Sequence, residues 1–285
     1  MSLTARVADW SARGELRSVA GRQLFVYERP GEGVPVLLLH GYPSSSYDWR
    51  DVVARLPGRH LILFDFLGYG LSDKPRDVLY SLMMQADLVE AVADGRELHL
   101  VAHDMGSSVA TELLARDIER RLTFGLRSAL LTNASLVLEK ASLTISQKLL
   151  RSPLGPLFAR LSNERSFRLQ FARIFSSAHP LSAEEAADQW SLLAHNRGQR
   201  LLNRLIYYLH ERIEYAPRWH GAIRDWPGEL SLAWARRDPI CTEAVLQAVL
   251  ALRPSAPLTR FDDLGHYPQI EDPGSVAAVI DGHAT

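Results

Sequence analysis

The stretch Glu97–Ala110, ELHLVAHDMGSSVA, opens with an apolar run that breaks at Ala102-His103-Asp104-Met105-Gly106 and resumes with helical spacing. It reads as strand, sharp turn, helix. Ala102 and Gly106 stand two residues before and after Asp104, where a strained turn excludes larger side chains. The residue at the tip is an aspartate, and a carboxylate held there does different chemistry from a serine. It displaces a leaving group from saturated carbon and forms an alkyl ester, whereas a serine suits acyl transfer.

Outward from this turn the chain alternates apolar runs with helical patterns. A hairpin is expected over 16–29, turning near Gly21, followed by a continuous apolar strand, Pro35–His40. Ser44–Leu56 has helical spacing, and His60–Asp65 is a second buried strand leading into a loop with Gly68 and Gly70. That loop lacks the surroundings of a phosphate cradle and reads as a packing turn. Helices are expected over 81–94 and 105–119, and a strand over 126–131. From 134 to 223 no strand is expected. Helical patterns interrupted by Pro153, Pro156, Pro180, Gly198 and Pro217 make this a helical insert. The rhythm returns with a strand at 229–235, a helix at 242–252, a short strand at 258–262 and a helix at 273–282. The reading is an α/β protein: a mostly parallel sheet covered by helices on both faces, with core parts 1–133 and 224–285 and a cap at 134–223. In such sheets the chemistry sits in loops at the carboxyl ends of strands.

Composition narrows the function. With 285 residues and 47% hydrophobic content the chain can bury a large core. Lys plus Arg, 32, balance Asp plus Glu, 33, so no chain-wide field draws nucleic acid or a membrane surface, and neither is expected as a partner. One cysteine, Cys241, leaves no disulfide framework or cysteine cluster and reads as structural. The first residues lack a signal-type apolar run and no later run approaches a membrane span, so a cytoplasmic protein is expected. A small-molecule substrate is expected, with no metal or cofactor, and the sequence does not give the oligomeric state.

The loop candidates, in chain order, are Asp104, Asp238 and His266, with His40-Gly41-Tyr42-Pro43 ahead of them. The motifs His40-Gly41-Tyr42-Pro43, Asp65-x-x-Gly68-x-Gly70-x-Ser72-Asp73, His103-Asp104-Met105-Gly106, Arg237-Asp238-Pro239 and Gly265-His266-Tyr267-Pro268 together resemble the α/β-hydrolase fold superfamily over nearly the whole chain. The resemblance is to its aspartate-nucleophile branch, which includes epoxide hydrolases and haloalkane dehalogenases. The stretches YPSSSYDWRD, DFLGYGLSDKP and GHYPQIEDP also resemble the mesoderm-specific transcript proteins.

The resemblance implies an enzyme with Asp104 as nucleophile, Asp238 as acid and His266 as base, and with the backbone N–H groups of Tyr42 and Met105 as oxyanion donors. Asn133 occupies an alternative acid position but carries no charge. Dehalogenases of this branch use an indole directly after the nucleophile and a second donor in the oxyanion loop. Met105 and Tyr42 stand there instead, leaving Trp190 or Trp219 as sources of one donor. Epoxide hydrolases use lid tyrosines as proton donors, and LIYYLHERIEYAPRW supplies Tyr208, with Tyr207 second. Read as one helix, it would put Tyr208 and Tyr215 on a common face. Residues 134–206 contain no second lid tyrosine. The expectation is an epoxide hydrolase-like enzyme acting on a small apolar substrate. Its alternatives are a haloalkane dehalogenase, a β-lactone-opening enzyme, or a non-catalytic binding protein on the same fold.

Overall fold

The computed structural model describes residues 2–284. Its eight strands are β1 (Glu15–Val19), β2 (Arg22–Arg29), β3 (Glu32–Leu39), β4 (Arg59–Phe64), β5 (Glu97–His103), β6 (Gly125–Thr132), β7 (Glu229–Ala235) and β8 (Leu258–Phe261). They form one sheet in the order β1-β2-β4-β3-β5-β6-β7-β8. β1 pairs antiparallel with β2, and β2 antiparallel with β4. Every pairing from β4 to β8 is parallel.

The central strands lack a polar face because both sides are covered. Leu37 and Leu39 of β3, Leu98 and Leu100 of β5, and Leu230 and Leu232 of β7 join one core. That core is completed by α3 (Leu82–Ala93), α4 (Met105–Ile118) and α12 (Glu243–Leu252). The alternate residues Val36, Leu38, Val101 and Ala233 face a second core. Its helices are α1 (Ala5–Ser11), α2 (Arg50–Ala54) and α14 (Pro273–His283). A side-chain period of two therefore shows as continuous hydrophobicity, as in other doubly covered parallel sheets.

Between β6 and β7 the described chain is helical: α5 (Ile145–Arg151), α6 (Gly155–Leu161), α7 (Glu164–Phe171), α8 (Ala183–Ala194), α9 (Leu202–Leu205), α10 (Tyr208–Glu214) and α11 (Ala216–Asp225). The last core helices include the short α13 (Pro268–Glu271). Two details depart from the sequence reading. Ser44–Leu56 is not one helix but a 3-10 turn, Ser46–Trp49, followed by α2. The stretch expected as a single helix around Tyr207–Trp219 is broken. α10 ends at Glu214 and α11 starts at Ala216 with Pro217 in its first turn, where a missing N–H costs nothing. Tyr208 and Tyr215 therefore do not share a helix face. No described helix is long and apolar enough to cross a membrane.

Candidate active site

β5 ends at His103 and α4 begins at Met105, so Asp104 alone makes the turn, at φ 45° and ψ −110°. A non-glycine residue there is strained, and the surroundings hold it. A Cβ on Gly106 would lie 2.6 Å from the His40 carbonyl oxygen, and one on Gly41 would lie 2.8 Å from Asp104 Cβ. Both positions need glycine for the elbow to pack against the end of β3. His40 and His103 brace it. His103 Nε2 donates to the His266 carbonyl at 2.7 Å while Gln269 lies 3.2 Å from its Nδ1. Burial holds the His103 pKa down at about 4, so its ring is a neutral strut.

The structure brings Asp104, Asp238 and His266 together at the carboxyl ends of β5, β7 and β8, all buried. Asp238 Oδ2 accepts from His266 Nδ1 at 2.7 Å, leaving Nε2 as the proton-accepting nitrogen. The other carboxylate oxygen of Asp238 accepts from the N–H groups of Ile240 and Cys241 at 2.7 and 3.0 Å. Burial alone would raise the Asp238 pKa, but His266, Asn133 and these amides outweigh it and hold the carboxylate below its usual range. For His266 burial disfavours the imidazolium, and the Asp238 carboxylate more than compensates, so the pKa is raised.

The Tyr42 N–H donates to Asp104 Oδ2 at 3.0 Å. Met105 opens α4, so its N–H has no partner one turn back in the helix. One carboxylate oxygen thus rests on a backbone donor, and the other, Oδ1, faces the Arg212 side chain. The Met105 side chain is buried against the Tyr69 hydroxyl, 3.0 Å from its sulfur. Tyr208 is also buried. Its ring lies 5.4 Å from that of Tyr42, and burial together with the nearby Asp104 charge raises its pKa so that the phenol keeps its proton. Tyr207 packs instead against His210. The Trp219 indole N–H is committed to Glu112 at 3.0 Å, and Trp190 packs on Phe167.

Two residues were not singled out for these contacts by sequence. Asn133, at φ 44°, donates from Nδ2 to Asp238 Oδ2 at 2.7 Å and accepts the Ala235 N–H at 3.1 Å, fixing the carboxylate that fixes His266. Arg212 of α10 is the larger omission. Its guanidinium is buried, with Nη2 3.1 Å from the Asp104 carbonyl oxygen and 3.5 Å from Oδ1. Nε donates to Ser108 Oγ at 2.8 Å, Nη1 bonds Ser135, and the group lies 4.6 Å from the centre of the Tyr208 ring. Burial would raise the Asp104 pKa; Arg212 first, then His266, outweighs it and holds the carboxylate below its ordinary range. The available signal was spacing: Tyr208 and Arg212, four apart, share a face of one helical segment.

Asp238, Cys241 and His266 offer donor atoms within 4.8 Å of one another. Their atoms are already engaged: Asp238 as above, and the Cys241 thiol with the Asn133 carbonyl at 2.9 Å. A cavity of about 770 Å³ runs from Tyr42, Pro239 and Ile240 past Phe158, Phe167 and Trp190 to an opening among the insert helices. Leucine and aromatic side chains make most of its lining apolar, with Gln147, Asn163, Ser166 and Gln170 set among them.

Residues 36–279 match the alpha/beta hydrolase family. The protein LipZ of Mycobacterium tuberculosis is 52% identical over 274 residues, covering 95% of each chain. The mesoderm-specific transcript protein of Mus musculus is 32% identical over 286 residues, covering 95% of this chain and 85% of that protein. A shorter match, 39% over 101 residues and 33% of this chain, is to the cis-3-alkyl-4-alkyloxetan-2-one decarboxylase of Shewanella oneidensis. Among solved structures, an alpha/beta hydrolase fold protein from Burkholderia ambifaria superposes with a TM-score of 0.79 at 21% identity, over 93% of this chain and 96% of that one. With a strand-turn-helix elbow, an acid and a histidine following it in chain order, and a family match across most of the sequence, this chain belongs to the alpha/beta hydrolase family.

Proposed function

We propose that this hydrolase opens a strained oxygen ring through an alkyl ester on Asp104, with an epoxide as the first substrate class. The observation carrying the reading is the placement of Asp104. Its Oδ2 rests on the Tyr42 N–H, and its Oδ1 faces the guanidinium of Arg212, which in turn lies over the buried ring of Tyr208. In the first step Oδ1 attacks a ring carbon, the carbon–oxygen bond breaks, and the departing alkoxide takes the Tyr208 phenolic proton. In the second step His266 Nε2 removes a proton from water, and the resulting hydroxide attacks Cγ of the ester. The oxyanion forms on the former Oδ2, beside the Tyr42 and Met105 amides. Collapse releases the diol and restores the carboxylate, and the His266 proton returns to the Tyr208 phenolate. In this reading 134–223 is the cap over a core of 1–133 and 224–285.

Halide departure is less well served. Met105 stands where an indole donor would help, and Trp219 is bound to Glu112. A second reading is favoured by Arg212. Once Asp104 becomes a neutral ester, the guanidinium loses its counter-charge, and a β-lactone opened at its alkyl carbon would supply a carboxylate in replacement. The partial likeness to an oxetan-2-one decarboxylase is consistent with that chemistry.

The test is His266→Gln incubated with an epoxide, a haloalkane and a β-lactone, with intact-protein and peptide mass spectrometry. The expected result is a stable adduct on Asp104 with a ring-opened oxygen substrate. Tyr208→Phe should slow adduct formation from the epoxide selectively, and Arg212→Met from the lactone selectively. An adduct elsewhere, or full turnover by Asp104→Asn, would overturn the nucleophile assignment.

A further inference from the structure

Ten large hydrophobic side chains are exposed among the described residues, and six of them, Ile145, Leu149, Leu154, Leu157, Leu161 and Leu169, lie on or beside three consecutive short helices of the insert. Their exposures run from 38% to 70%. Each helix repeats one pattern at spacings of three and four. α5 presents Ile145, Lys148 and Leu149; α6 presents Leu157, Arg160 and Leu161; α7 presents Arg165, Arg168 and Leu169. Residues three and four apart share a helix face, so apolar and basic side chains emerge together. From 145 to 173 the chain carries six cations, Lys148, Arg151, Arg160, Arg165, Arg168 and Arg173, against one acid, Glu164. All six cations are exposed, and none makes an ion pair or side-chain hydrogen bond among the described residues. A chain whose formal charge is −1 thus concentrates unpaired positive charge on three consecutive helices that also expose leucines.

Part of this surface borders the cavity. Ile145, Leu149, Leu161 and Arg173 line it at the surface, and the same cavity reaches Tyr42 at the other end.

We propose that α5, α6 and α7 form a docking surface for an anionic lipid bilayer, with the leucines inserting at the headgroup boundary and the cations meeting lipid phosphates. Exposed apolar side chains interleaved with Lys and Arg are the composition of an interfacial helix face, and neither part alone gives stable attachment. A second copy of the chain is a poor occupant, because a two-fold contact would set this unpaired positive charge against itself. Nucleic acid would satisfy the cations and leave the leucines wet. Docking would place the cavity mouth against the membrane, so that a lipophilic substrate passes from lipid to Tyr42 without crossing water. The docking stands apart from the chemistry at Asp104, and its test reads binding, not turnover.

The experiment is flotation of the full chain with phosphatidylcholine vesicles, with and without phosphatidylglycerol. Wild type should float with the anionic vesicles and remain behind with neutral ones. Arg160→Glu/Arg165→Glu/Arg168→Glu and, separately, Leu154→Ser/Leu157→Ser/Leu169→Ser should each lower partitioning at least about tenfold. Both variants change exposed side chains, and unchanged thermal melting would verify their folds. Failure of wild type to float, or loss with the charge variant only, would overturn the proposal. So would a sedimentation-velocity dimer that the leucine variant converts to monomer.

Discussion

Arg212, on a helix inserted between β6 and β7, places its guanidinium 3.5 Å from Oδ1 of Asp104, a residue more than a hundred positions earlier in the chain. Both side chains are almost wholly buried. Removing one partner of such a pair strands the other charge, at a cost of about 3–5 kcal/mol. Arg212→Met should therefore lower stability by roughly that amount in urea titration and raise the pKa of Asp104. Arg212→Lys should recover part of the stability but not the contacts to Ser108 and Ser135, since an ammonium lacks the planar fork.

The pH dependence follows from His266. In the proposed mechanism the neutral His266 ring is the base, and its raised pKa means that this form is lost as pH falls through a midpoint above the ordinary histidine value of about 6.5. Hydrolysis of the ester should decline on that limb, seen as accumulation of the Asp104 adduct at low pH in rapid-quench mass spectrometry. Asp238→Asn should move the midpoint down and slow ester hydrolysis by up to about 10⁴-fold, by analogy with triads whose orienting acid is neutralised. For stability the signs oppose each other. The His266–Asp238 contribution assigned to the histidine is full below its unfolded pKa and fades as pH rises through the raised folded one. The depressed Asp104 and Asp238 contribute above their unfolded pKa values and lose that contribution on acidification.

Asn133 gives a backbone-neutral test. At φ 44° glycine is accommodated without strain, so Asn133→Gly removes the amide while keeping the turn. Loss of the bonds to Asp238 and to the Ala235 N–H should cost about 1–3 kcal/mol in thermal or urea unfolding. Ester hydrolysis should slow more than ester formation, because His266 loses its orientation.

At Gly41 the expected damage is geometric. A methyl there would stand 2.8 Å from Asp104 Cβ and 3.0 Å from Oδ2, the oxygen held by the Tyr42 N–H. Gly41→Ala should displace the carboxylate from that donor and reduce turnover by about 10²–10³-fold, the usual effect of losing one oxyanion contact. A crystal structure of the variant would show the displacement.

Much of the core was legible because local and global signals agree there. β7 lies at 229–235 as expected, and the strands flanking Asp104 read clearly because burial on both faces makes them apolar throughout. The insert was legible as helical and no further. Its helices are short: Pro217 marks the break between α10 and α11, whereas the break between α9 and α10 has no proline or glycine to announce it. For Arg212 the spacing from Tyr208 marked a shared helix face but not a partner. A lone arginine in a polar-looking segment gives no sign that it is buried, and its partners Asp104, Ser108 and Ser135 are distant in sequence. Asn133 was noticed for the charge it lacks, while its contribution is a hydrogen bond that only the folded β6–β7 pairing sets up.

Because Arg212 arrives with the insert, the insert and the elbow are not independent modules. Recombining this core with a foreign insert would exchange the counter-ion of Asp104 along with the walls of the cavity. A chimera lacking an equivalent cation would carry a turn whose carboxylate has lost the charge that most lowers its pKa. Transplanting substrate range between relatives therefore requires moving the Tyr208–Arg212 segment as one unit with Ser108 and Ser135.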